Sequence, residues 1–517
     1  MAIKFNITFI FSIHKKIVAY YFPSFKGNIV ILWKKIQSAH MKYEIVIGLE
    51  THVRVGSITK MFGGEPNAVA LERDPNINIG PVSLGLPGAL PILSEGVVDL
   101  AVRASHGLRM TVNTFSQFDR KSYFYPDLPM GYQITQLFHP ISEHGHLDAF
   151  VGDELKRFKI RRIHIEADAG GSKHSVTKSL IDFNRAGSPL MEIVTEPDFR
   201  SKEDVLEYLK ELQKIMRFTG ASDADMEKGQ LRCDVNISLR PEGSHELRNR
   251  VELKNLNSFQ QIGRAIDAEV KRQIEIYDEN GTVDQETRGW DDDAGESHSL
   301  RSKEDAMDYR YFPEPDLPPL VITQEYIDER NIAELPIDRR LKYLNEWKLL
   351  PDDARILSSE RAMSDFFEKT VSLTNEPKKS ASLILTVILW ILKKGDEEID
   401  FSTLRITPEA LARVVNMLKA DEISSTNAQE VVKTLLNEGG DPDAIVDAKW
   451  LRQVNDTGAM EAIVDAVLAA NPSQIAEYQA GKVNLFGYFV GNCMKESKGQ
   501  GNPKIFTEIL TRKLTTK

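Results

Sequence analysis

Residues 161–199 read RRIHIEADAGGSKHSVTKSLIDFNRAGSPLMEIVTEPDF, and this stretch decides the fold. It predicts two β-strands joined by a polar, glycine-containing turn region. In the first strand, two isoleucines alternate with His164, Glu166 and Asp168. Because successive side chains of a strand point to opposite faces, we expect the imidazole and both carboxylates to share one face of a sheet.

The second strand places another carboxylate among apolar neighbours, because Glu192 shares a face with Leu190 and Val194. An ionised carboxylate in such surroundings is unfavourable unless it meets a cation or a hydrogen-bonding ligand. The pattern therefore indicates a metal ion, a bound cationic group or a proton-transfer role. A solvated sheet face with surface salt bridges is the alternative, and these residues alone do not decide between the two.

A third strand is predicted near the start of the chain. In YEIVIGLETHVRV, residues 43–55, Glu50 and His52 face the same way. A glutamate and a histidine two residues apart can bind a divalent metal or act as an acid–base pair. Strand ends often carry such pairs without a function, so this signal is weak by itself.

Two further stretches add polar faces to the predicted sheet. LRCDVNISLR (231–240) alternates cleanly, and VELKNLNS (251–258) adds Glu252 and Lys254 in the same manner. Antiparallel sheets often expose one polar face to solvent. Here the polar positions are rich in Asn, Asp, Arg and His, which favours a concave polar surface that holds an anionic, metal-bound ligand.

Two amphipathic helices accompany these strands, and a helical region follows them. Ser201 and Asp204 form a capping-box pattern before one apolar stripe, and a second stripe begins at Phe259. From residue 335 the pattern is all-helical, with Thr407 as an N-cap and Pro408 at the first helical position. We therefore predict an α+β protein in which a β-rich region with flanking helices precedes an all-α region.

The composition bounds the class of protein. A chain of 517 residues has room for roughly two to four domains, and 41% hydrophobic with 27% charged residues is typical of soluble globular proteins. Cys233 and Cys493 are its two cysteines, which excludes a disulfide scaffold and fits a reducing cytoplasm. The net charge of −11 means that any RNA contact must be local or shared with a partner.

The first forty residues differ from the rest, because they contain six lysines, many aromatic residues and no acidic residue. Their apolar runs are too short to span a bilayer. We expect Met41 to be the true start and residues 1–40 to be a basic extension translated from upstream sequence. A genuine basic or membrane-surface tail is the alternative.

Known nucleotide-binding and hydrolytic motifs are missing from the sequence. It contains no GxxxxGK[ST] loop and no GxGxxG between a strand and a helix. The run Gly170-Gly171-Ser172-Lys173 lacks the second serine of an amidase loop. The sequence therefore provides no nucleophile for amide hydrolysis.

Seven segments, in order, resemble the GatB family, the B subunits of the tRNA-dependent amidotransferases. They are IGLETHV (47–53), LGLPGALP (84–91), DRKSYFYPDLPMGYQITQ (119–136), FNRAGSPLMEIVTEPDFRS (183–201), KGQLRCDVNISLRP (228–241), ELKNLNSF (252–259) and DYRYFPEPDLPPL (308–320). The resemblance implies a β-rich cradle domain over 41–334, a helical domain over 335–405 and a YqeY-like tail over 406–517 that holds the elbow of tRNA. The related archaeal-type E subunit carries a large inserted domain, for which the spacing leaves no room.

The resemblance also implies the reaction. The family uses ATP and Mg²⁺ to phosphorylate the side-chain carboxylate of Glu-tRNA(Gln) or Asp-tRNA(Asn), and ammonia then displaces phosphate. A partner A subunit releases the ammonia from glutamine, and a C subunit holds the two together. The expected protein is cytoplasmic, binds tRNA and makes no membrane contact. A non-catalytic tRNA-binding scaffold with a decayed kinase site is the alternative.

Site residues are carried over by motif position. The implied catalytic residues are Glu50, His52, Glu166 and Glu192, and the implied metal ligands are Glu50, His52, Asp168 and Glu192. Lys121, Arg185 and Lys254 are expected to bind the nucleotide. Lys121 lies beside Arg120, Tyr123 and Tyr125, which can also form a packed aromatic corner.

The sequence departs from the family at Ala167, at Gly171, where the family has a lysine, and at the positions of the zinc knuckle. The family has two adjacent glutamates where this chain has Glu166-Ala167, so Ala167 puts the metal shell in doubt unless Glu166 or Asp168 compensates. Many members also carry two cysteine pairs of a zinc knuckle. This chain has Gly63, Gly64 and the run Gly80-Pro81-Val82-Ser83 instead, so we expect no zinc.

Overall fold

The computed structural model describes residues 43–515, except 69–73, 176, 303–307, 333, 394–399, 454–455 and 498–499. The predicted extension over residues 1–40 lies outside the described residues. The chain forms two compact units, and the boundary between them falls between residues 333 and 334.

The first unit is rich in β-strands. Its strands are β1 (Tyr43–Arg54), β2 (Thr111–Val112), β3 (Phe115–Ser122), β4 (Tyr132–His139), β5 (Ser142–Val151), β6 (Glu154–Ala167), β7 (Gly171–His174), β8 (Ser179–Asp182), β9 (Pro189–Thr195), β10 (Leu231–Pro241), β11 (Val251–Lys254), β12 (Glu286–Asp291), β13 (Glu296–Ser302), β14 (Phe312–Pro313) and β15 (Leu320–Val321). Its helices are α1 (Glu95–Gly107), α2 (Lys202–Thr219), α3 (Phe259–Asp278) and α4 (Gln324–Glu329).

Nine strands form one sheet in the order β13-β12-β11-β10-β1-β9-β6-β5-β2. All neighbours in it are antiparallel except β11 and β12. A second sheet contains β14, β3 and β15, with β4 also paired to β3, and β7 pairs with β8 in a hairpin. The stretch predicted as two strands thus contains the second half of β6 and all of β9, and the hairpin occupies the predicted turn region.

One face of the nine-stranded sheet carries the core. In β10, Leu231, Cys233, Val235 and Ile237 are buried while the residues between them are more exposed, as the alternation predicts. Helices α1, α2 and α3 contribute buried apolar side chains to the same cluster. The opposite face carries most of the polar side chains, and the candidate site lies on it.

Local signals explain the ends of α2. The side chain of Ser201 accepts a hydrogen bond from the backbone N–H of Asp204, as the capping pattern predicts. The helix ends at Gly220, whose φ of 71° is the left-handed conformation that glycine adopts without strain.

The second unit is helical. Its helices are α5 (Pro336–Asn345), α6 (Pro351–Leu357), α7 (Arg361–Thr374), α8 (Pro377–Leu383), α9 (Leu389–Leu392), α10 (Pro408–Lys419), α11 (Ser425–Glu438), α12 (Pro442–Ala448), α13 (Thr457–Ala469), α14 (Pro472–Gln479), α15 (Leu485–Glu496) and α16 (Pro503–Thr515), and a π-helical turn, Ile384–Ile388, joins α8 to α9. Thr407 caps α10 through a hydrogen bond from the N–H of Ala410, with Pro408 in the first turn, as predicted. The α+β fold class is therefore confirmed.

Two apolar clusters stabilise this unit. The first extends from Tyr343 to Val446, and the second extends from Met460 to Leu514. Phe401 and Ile406 both belong to the first cluster, so it crosses the boundary predicted between residues 405 and 406. The division of the chain at that point stays a prediction. None of the helices that the structure describes combines the length and apolar character needed to cross a bilayer.

Candidate active site

The register of three neighbouring strands sets the geometry of the site. Glu192 on β9 lies opposite His52 on β1 and opposite His164 on β6. Directly opposite residues of antiparallel strands project from the same face with their Cβ atoms about 5 Å apart. The carboxylate of Glu192 is therefore placed between two imidazoles.

The side chains of this row are in direct contact. Nε2 of His164 donates a hydrogen bond to Oε2 of Glu192 at 2.8 Å, and Nε2 of His52 lies 3.4 Å from the same oxygen. Glu166 lies on the same face, with Oε1 3.8 Å from Nε2 of His52. Oγ1 of Thr135 donates to Oε2 of Glu166 at 3.0 Å. Two carboxylates and two imidazoles thus form one cluster.

Burial and charge act in opposite directions on these groups. Burial alone would lower the pKa of His164, but the charge of Glu192, the hydrogen bond to Glu192 and the nearby carboxylate of Glu166 raise it to about 9. Burial likewise would raise the pKa of Glu192, but the two histidines hold it well below its ordinary value. The carboxylates are therefore ionised and the imidazoles balance their charge.

Glu50 differs from the other carboxylates of the face. It lies opposite Asp234 on β10, and its Oε1 accepts a hydrogen bond from Nδ2 of Asn236 at 3.2 Å. Burial, followed by the charges of Glu192 and Glu252, raises its pKa. Glu50 is the carboxylate of this face best suited to accept and release a proton.

Lys254 forms a second charged group on the same face. Its Nζ forms an ion pair with Asp234 and lies 3.1 Å from Oε1 of Glu252. Burial alone would lower the pKa of Lys254, but these two carboxylates raise it. Oγ1 of Thr287 donates to Oε2 of Glu252 at 2.8 Å, which fixes the group further.

These side chains line one cavity of about 490 Å³. Lys121 on β3 lies at its wall, with Nζ 5.0 Å from the centre of the Tyr309 ring. The lining residues that carry charge or can hydrogen-bond are Glu50, His52, Lys121, Thr135, Gln136, Arg162, His164, Glu166, Glu192, Asp234, Glu252, Lys254, Thr287, Tyr309 and Tyr311. A cavity of this size, lined by convergent polar groups with shifted pKa values, is typical of an active site.

Comparison with known proteins identifies the family. Residues 45–328 match the model of the GatB/GatE catalytic domain, and residues 365–514 match that of the GatB domain. The chain belongs to the GatB/GatE family. All of the side chains that line the cavity lie within the part that matches the catalytic domain of the family.

Members of the GatB/GatE family from several bacteria are similar over most of their length. The chain is 43% identical over 493 residues to the B subunit of the aspartyl/glutamyl-tRNA(Asn/Gln) amidotransferase of Thermosynechococcus vestitus, covering 93% of this chain and 98% of that protein. It is 44% identical over 473 residues to the protein of the same name from Persephonella marina, covering 91% and 99%. The corresponding protein of Carboxydothermus hydrogenoformans is 42% identical over 480 residues, covering 92% and 99%.

Six of the residues carried over from the GatB/GatE family meet in the cavity. They are Glu50, His52, Lys121, Glu166, Glu192 and Lys254. Asp168 and Arg185 do not line it. Asp168 follows the end of β6 at Ala167 and pairs with Nε of Arg185 at 2.9 Å and with Nη2 of Arg232 at 3.1 Å. Arg185 also donates a hydrogen bond to the carbonyl oxygen of Gly170 at 3.0 Å.

Ala167, where we expected a departure from the family pattern, does not line the cavity. Ala167 is partly buried and packs against the core cluster, while Glu166 before it lines the cavity. Alternation along β6 explains the difference, since adjacent residues project from opposite faces. A carboxylate at position 167 would project from the opposite face of the strand, away from the cavity.

The glycines at the expected knuckle positions of the GatB/GatE family have close neighbours. A Cβ atom at Gly80 would lie 1.2 Å from Oε1 of Glu65, and one at Gly63 would lie 2.2 Å from Oε2 of the same carboxylate. A side chain at either position therefore requires Glu65 to move.

Sequence analysis did not assign a role to several lining residues. They are Thr135, Gln136, Arg162, Asp234, Glu252, Thr287, Tyr309 and Tyr311. The alternation of apolar and polar residues in 231–240 and 251–258 predicted that Asp234 and Glu252 lie on the polar face of the sheet. The pairing of distant strands, which decides that these faces meet, has no local signal in the sequence.

Three of the lining residues fit a divalent metal ion. One ligand atom each from His52, Glu166 and Glu192 can be chosen so that all lie within 4.8 Å of one another. Carboxylate oxygens suit Mg²⁺ and Mn²⁺, and an imidazole nitrogen suits a first-row transition metal. The donor set therefore fits Mg²⁺ and fits Mn²⁺ better. Glu50 stands beside this group and can supply a further oxygen.

Proposed function

We propose that the chain is the B subunit of a tRNA-dependent amidotransferase and activates the side-chain carboxylate of a misacylated tRNA with ATP. The observation that carries the proposal is the cavity itself, in which two carboxylates and two imidazoles meet within the part that matches the family's catalytic domain. Relatives that carry the name of this subunit are covered along nearly their whole length.

The proposed reaction has two steps. In the first, a side-chain carboxylate oxygen of Glu-tRNA(Gln) or Asp-tRNA(Asn) attacks the γ-phosphorus of ATP, the bond to the bridging oxygen breaks and ADP leaves. In the second, ammonia attacks the carbonyl carbon of the acyl phosphate, loses a proton and expels inorganic phosphate. The products are the amide on tRNA, ADP and phosphate.

The residues of the cavity have distinct proposed roles. His52, Glu166 and Glu192 would hold Mg²⁺, which when bound would supply positive charge against the phosphate oxygens. Glu50 would accept the proton that ammonia loses, because burial and neighbouring carboxylates raise its pKa. Lys121 and Lys254 would orient the nucleotide, and Lys254 is already fixed by Asp234 and Glu252.

The partners follow from the division of labour. The sequence lacks a nucleophile for glutamine hydrolysis, so an A subunit would deliver ammonia and a C subunit would complete a cytoplasmic heterotrimer. The helical tail would bind the tRNA elbow. Asp168 was expected as a metal ligand and Arg185 as a nucleotide-binding residue. We propose instead that they support the turn after β6, on the basis of their ion pair.

A scaffold with a decayed kinase site is the weaker proposal. Ala167 was the reason to consider this alternative, because the family has a glutamate there. Glu166, however, provides a carboxylate within the cluster, and Ala167 packs against the core. The family names of the relatives also favour the amidotransferase.

The test is reconstitution of the chain with A and C subunits. We expect Glu-tRNA(Gln) or Asp-tRNA(Asn) to be converted to the amide when ATP and either glutamine or ammonium are present, and no conversion without ATP. Tight tRNA binding with no ATP consumption on either substrate would reject the proposal in favour of the scaffold.

A further inference from the structure

An irregularity in β6 decides which of two adjacent arginines faces the cavity. The pairing of β6 with β9 shifts between Ile160 and Arg162, since Ile160 lies opposite Thr195 and Arg162 lies opposite Val194. Two steps along β6 thus match one step along β9, which is a β-bulge. Ile160 before the bulge and Ile163 after it are both buried in the core, although a regular strand buries every second residue. Arg161 is the extra residue.

The two arginines consequently have different surroundings. Arg161 points to solvent with 57% of its side chain exposed, and it forms two hydrogen bonds with Glu196 at 2.9 and 2.8 Å. Arg162 lies on the same face as His164 and Glu166 and lines the cavity. Bulges next to active sites commonly redirect a side chain in this way.

Arg162 has unused hydrogen-bonding capacity. Nη1 donates to the carbonyl oxygen of Leu137 at 3.1 Å. Nε is buried and has no hydrogen-bond partner among the described residues. Within the same part of the chain the guanidinium forms no ion pair, although five carboxylates line the cavity. A buried donor without an acceptor is unfavourable, so the arrangement favours an anion from outside.

Lys121 is a second cation of the cavity lining that forms no ion pair among the described residues. It contacts the rings of Tyr309 and Tyr123, and no ion pair of its ammonium group occurs among the residues that the structure describes. Lys254, the third permanent cation of the lining, pairs with Asp234 and Glu252. The positive charge available to a ligand is therefore concentrated on Lys121 and Arg162.

We infer that Arg162, together with Lys121, binds the oxygens of the phosphoryl group that is transferred from the nucleotide to the carboxylate. This inference rests on the proposed function and adds a residue to its machinery. Beside five carboxylates, the charge of a triphosphate must be met by cations, and among the described lining residues Lys121 and Arg162 are the permanent cations that form no ion pair. Arginine suits the task because its planar fork matches phosphate oxygens and keeps its charge at every accessible pH.

The chain offers a matched control for this inference. Arg161→Gln removes an adjacent arginine of the same strand that contacts Glu196 at the surface. Arg162→Gln removes the arginine that faces the cavity, and Arg162→Lys keeps the positive charge but removes the planar guanidinium group. Each variant would be reconstituted with A and C subunits, and its thermal unfolding would be checked. Phosphate release from ATP in the presence of Glu-tRNA(Gln) and ammonium, and ATP binding by equilibrium dialysis, would be measured.

We expect Arg162→Gln to lower kcat for phosphate release roughly 10²–10³-fold, as when a donor to a developing negative charge is removed. ATP binding should weaken at least about tenfold, the equivalent of one charge-assisted hydrogen bond. Arg162→Lys should fall between Arg162→Gln and wild type. Arg161→Gln should stay within about twofold of wild type, because surface ion pairs contribute little.

The outcomes separate this inference from the proposed function. If the wild-type complex releases phosphate and Arg162→Gln matches Arg161→Gln in kcat and in ATP binding, the inference is wrong and the proposed function stands. If the wild type releases no phosphate, the proposed function fails, and equal ATP binding by the two glutamine variants rejects the inference as well. If Arg162→Gln does not fold, unchanged kcat and ATP binding in Arg162→Lys overturns the inference.

Discussion

Glu192 sets the charge of the cavity at the scale of single residues. Its carboxylate contacts the imidazoles of His52 and His164 through one oxygen atom. In the absence of a metal ion, protons on the imidazoles balance the negative charge of Glu192 and Glu166. A metal ion coordinated by His52 requires its imidazole to be neutral, so metal binding should release protons.

The mixed donor set predicts a preference among metal ions. We expect Mn²⁺ to support ATP-dependent turnover at lower concentration than Mg²⁺, because His52 provides a nitrogen ligand. His52→Gln should raise the half-saturating Mn²⁺ concentration by at least about tenfold, the smallest loss seen when an outer-shell partner is removed. Phosphate release across a titration of each metal would measure this. Equal half-saturation by both metals, unaffected by His52→Gln, would remove His52 from the ligand set.

The positions of Glu166 and Ala167 lead to a second prediction. Glu166→Gln should lower ATP-dependent amide formation by roughly 10²-fold or more, because its carboxylate faces the cavity. Ala167→Glu should leave kcat within about twofold and destabilise the chain by about 1 kcal/mol, a typical effect for a substitution that disturbs packing. Amide formation and thermal unfolding would be measured on both. A large gain of activity in Ala167→Glu would show that position 167 belongs to the site.

Alternation within one strand was sufficient to predict part of the site. It placed His164 and Glu166 on one face, and the structure has them there. Asp168, which we expected on the same face, follows the end of β6, pairs with Arg185 and Arg232 and does not line the cavity. The contact of Glu192 with both imidazoles needed the pairing of three distant strands, for which no local pattern exists.

At the scale of elements, β6 shows where the period-2 alternation of a strand no longer predicts which face a side chain occupies. Arg161 and Arg162 are adjacent and identical, and a regular strand would assign them to faces by counting. The bulge between Ile160 and Arg162 shifts the alternation by one residue, so the residues after it project from the opposite faces to those that counting predicts. Helix starts were predictable, since the capping contacts of Ser201 and Thr407 involve residues only three positions away.

The contact between α10 and α12 predicts a pH dependence. Hydrogen bonds from Arg413, and then from Arg452, lower the pKa of Asp443 to about 2. A carboxylate whose pKa is lower in the folded state contributes stability that is complete above its unfolded value of about 3.9 and is lost as the pH falls towards about 2. Asp443→Asn should therefore weaken hydrogen-exchange protection of α10 and α12 at pH 6, and the difference from wild type should narrow below pH 4.

Salt provides a control for this ion-pair network. Because the groups are partly exposed, the difference between Asp443→Asn and wild type at pH 6 should also shrink at high ionic strength. A difference that stays constant between pH 6 and pH 3 would mean that Asp443 acts through packing or capping rather than through charge.

At the scale of the whole molecule, every residue of the candidate site belongs to the first unit. That unit has its own apolar core of strands and helices. We predict that residues 41–333 fold alone, unfold cooperatively and bind Mn²⁺, and that Glu192→Gln in this fragment folds equally well but binds Mn²⁺ more weakly. Near-ultraviolet circular dichroism and isothermal titration calorimetry would measure both. A fragment without fixed tertiary structure would show that the second unit is needed for folding.

The broad architecture was predictable because periodicity separates strands from helices. The change from period 2 to helical patterns near residue 335 lies close to the boundary between the two units. The order of the nine strands was not predictable. β1 lies between β9 and β10, which follow it by more than a hundred residues, and only tertiary packing selects those partners.

The proposed function requires this cavity to perform the ATP-dependent activation of an aminoacyl-tRNA. The most direct measurement is phosphate release from ATP by the reconstituted complex with Glu-tRNA(Gln) and ammonium, comparing wild type, Glu192→Gln and the control Glu196→Gln. Glu196 follows β9 at the surface and pairs with Arg161. We predict that Glu192→Gln loses roughly 10²-fold or more of the turnover with tRNA binding unchanged, while Glu196→Gln matches wild type. Wild-type turnover in Glu192→Gln would contradict the account.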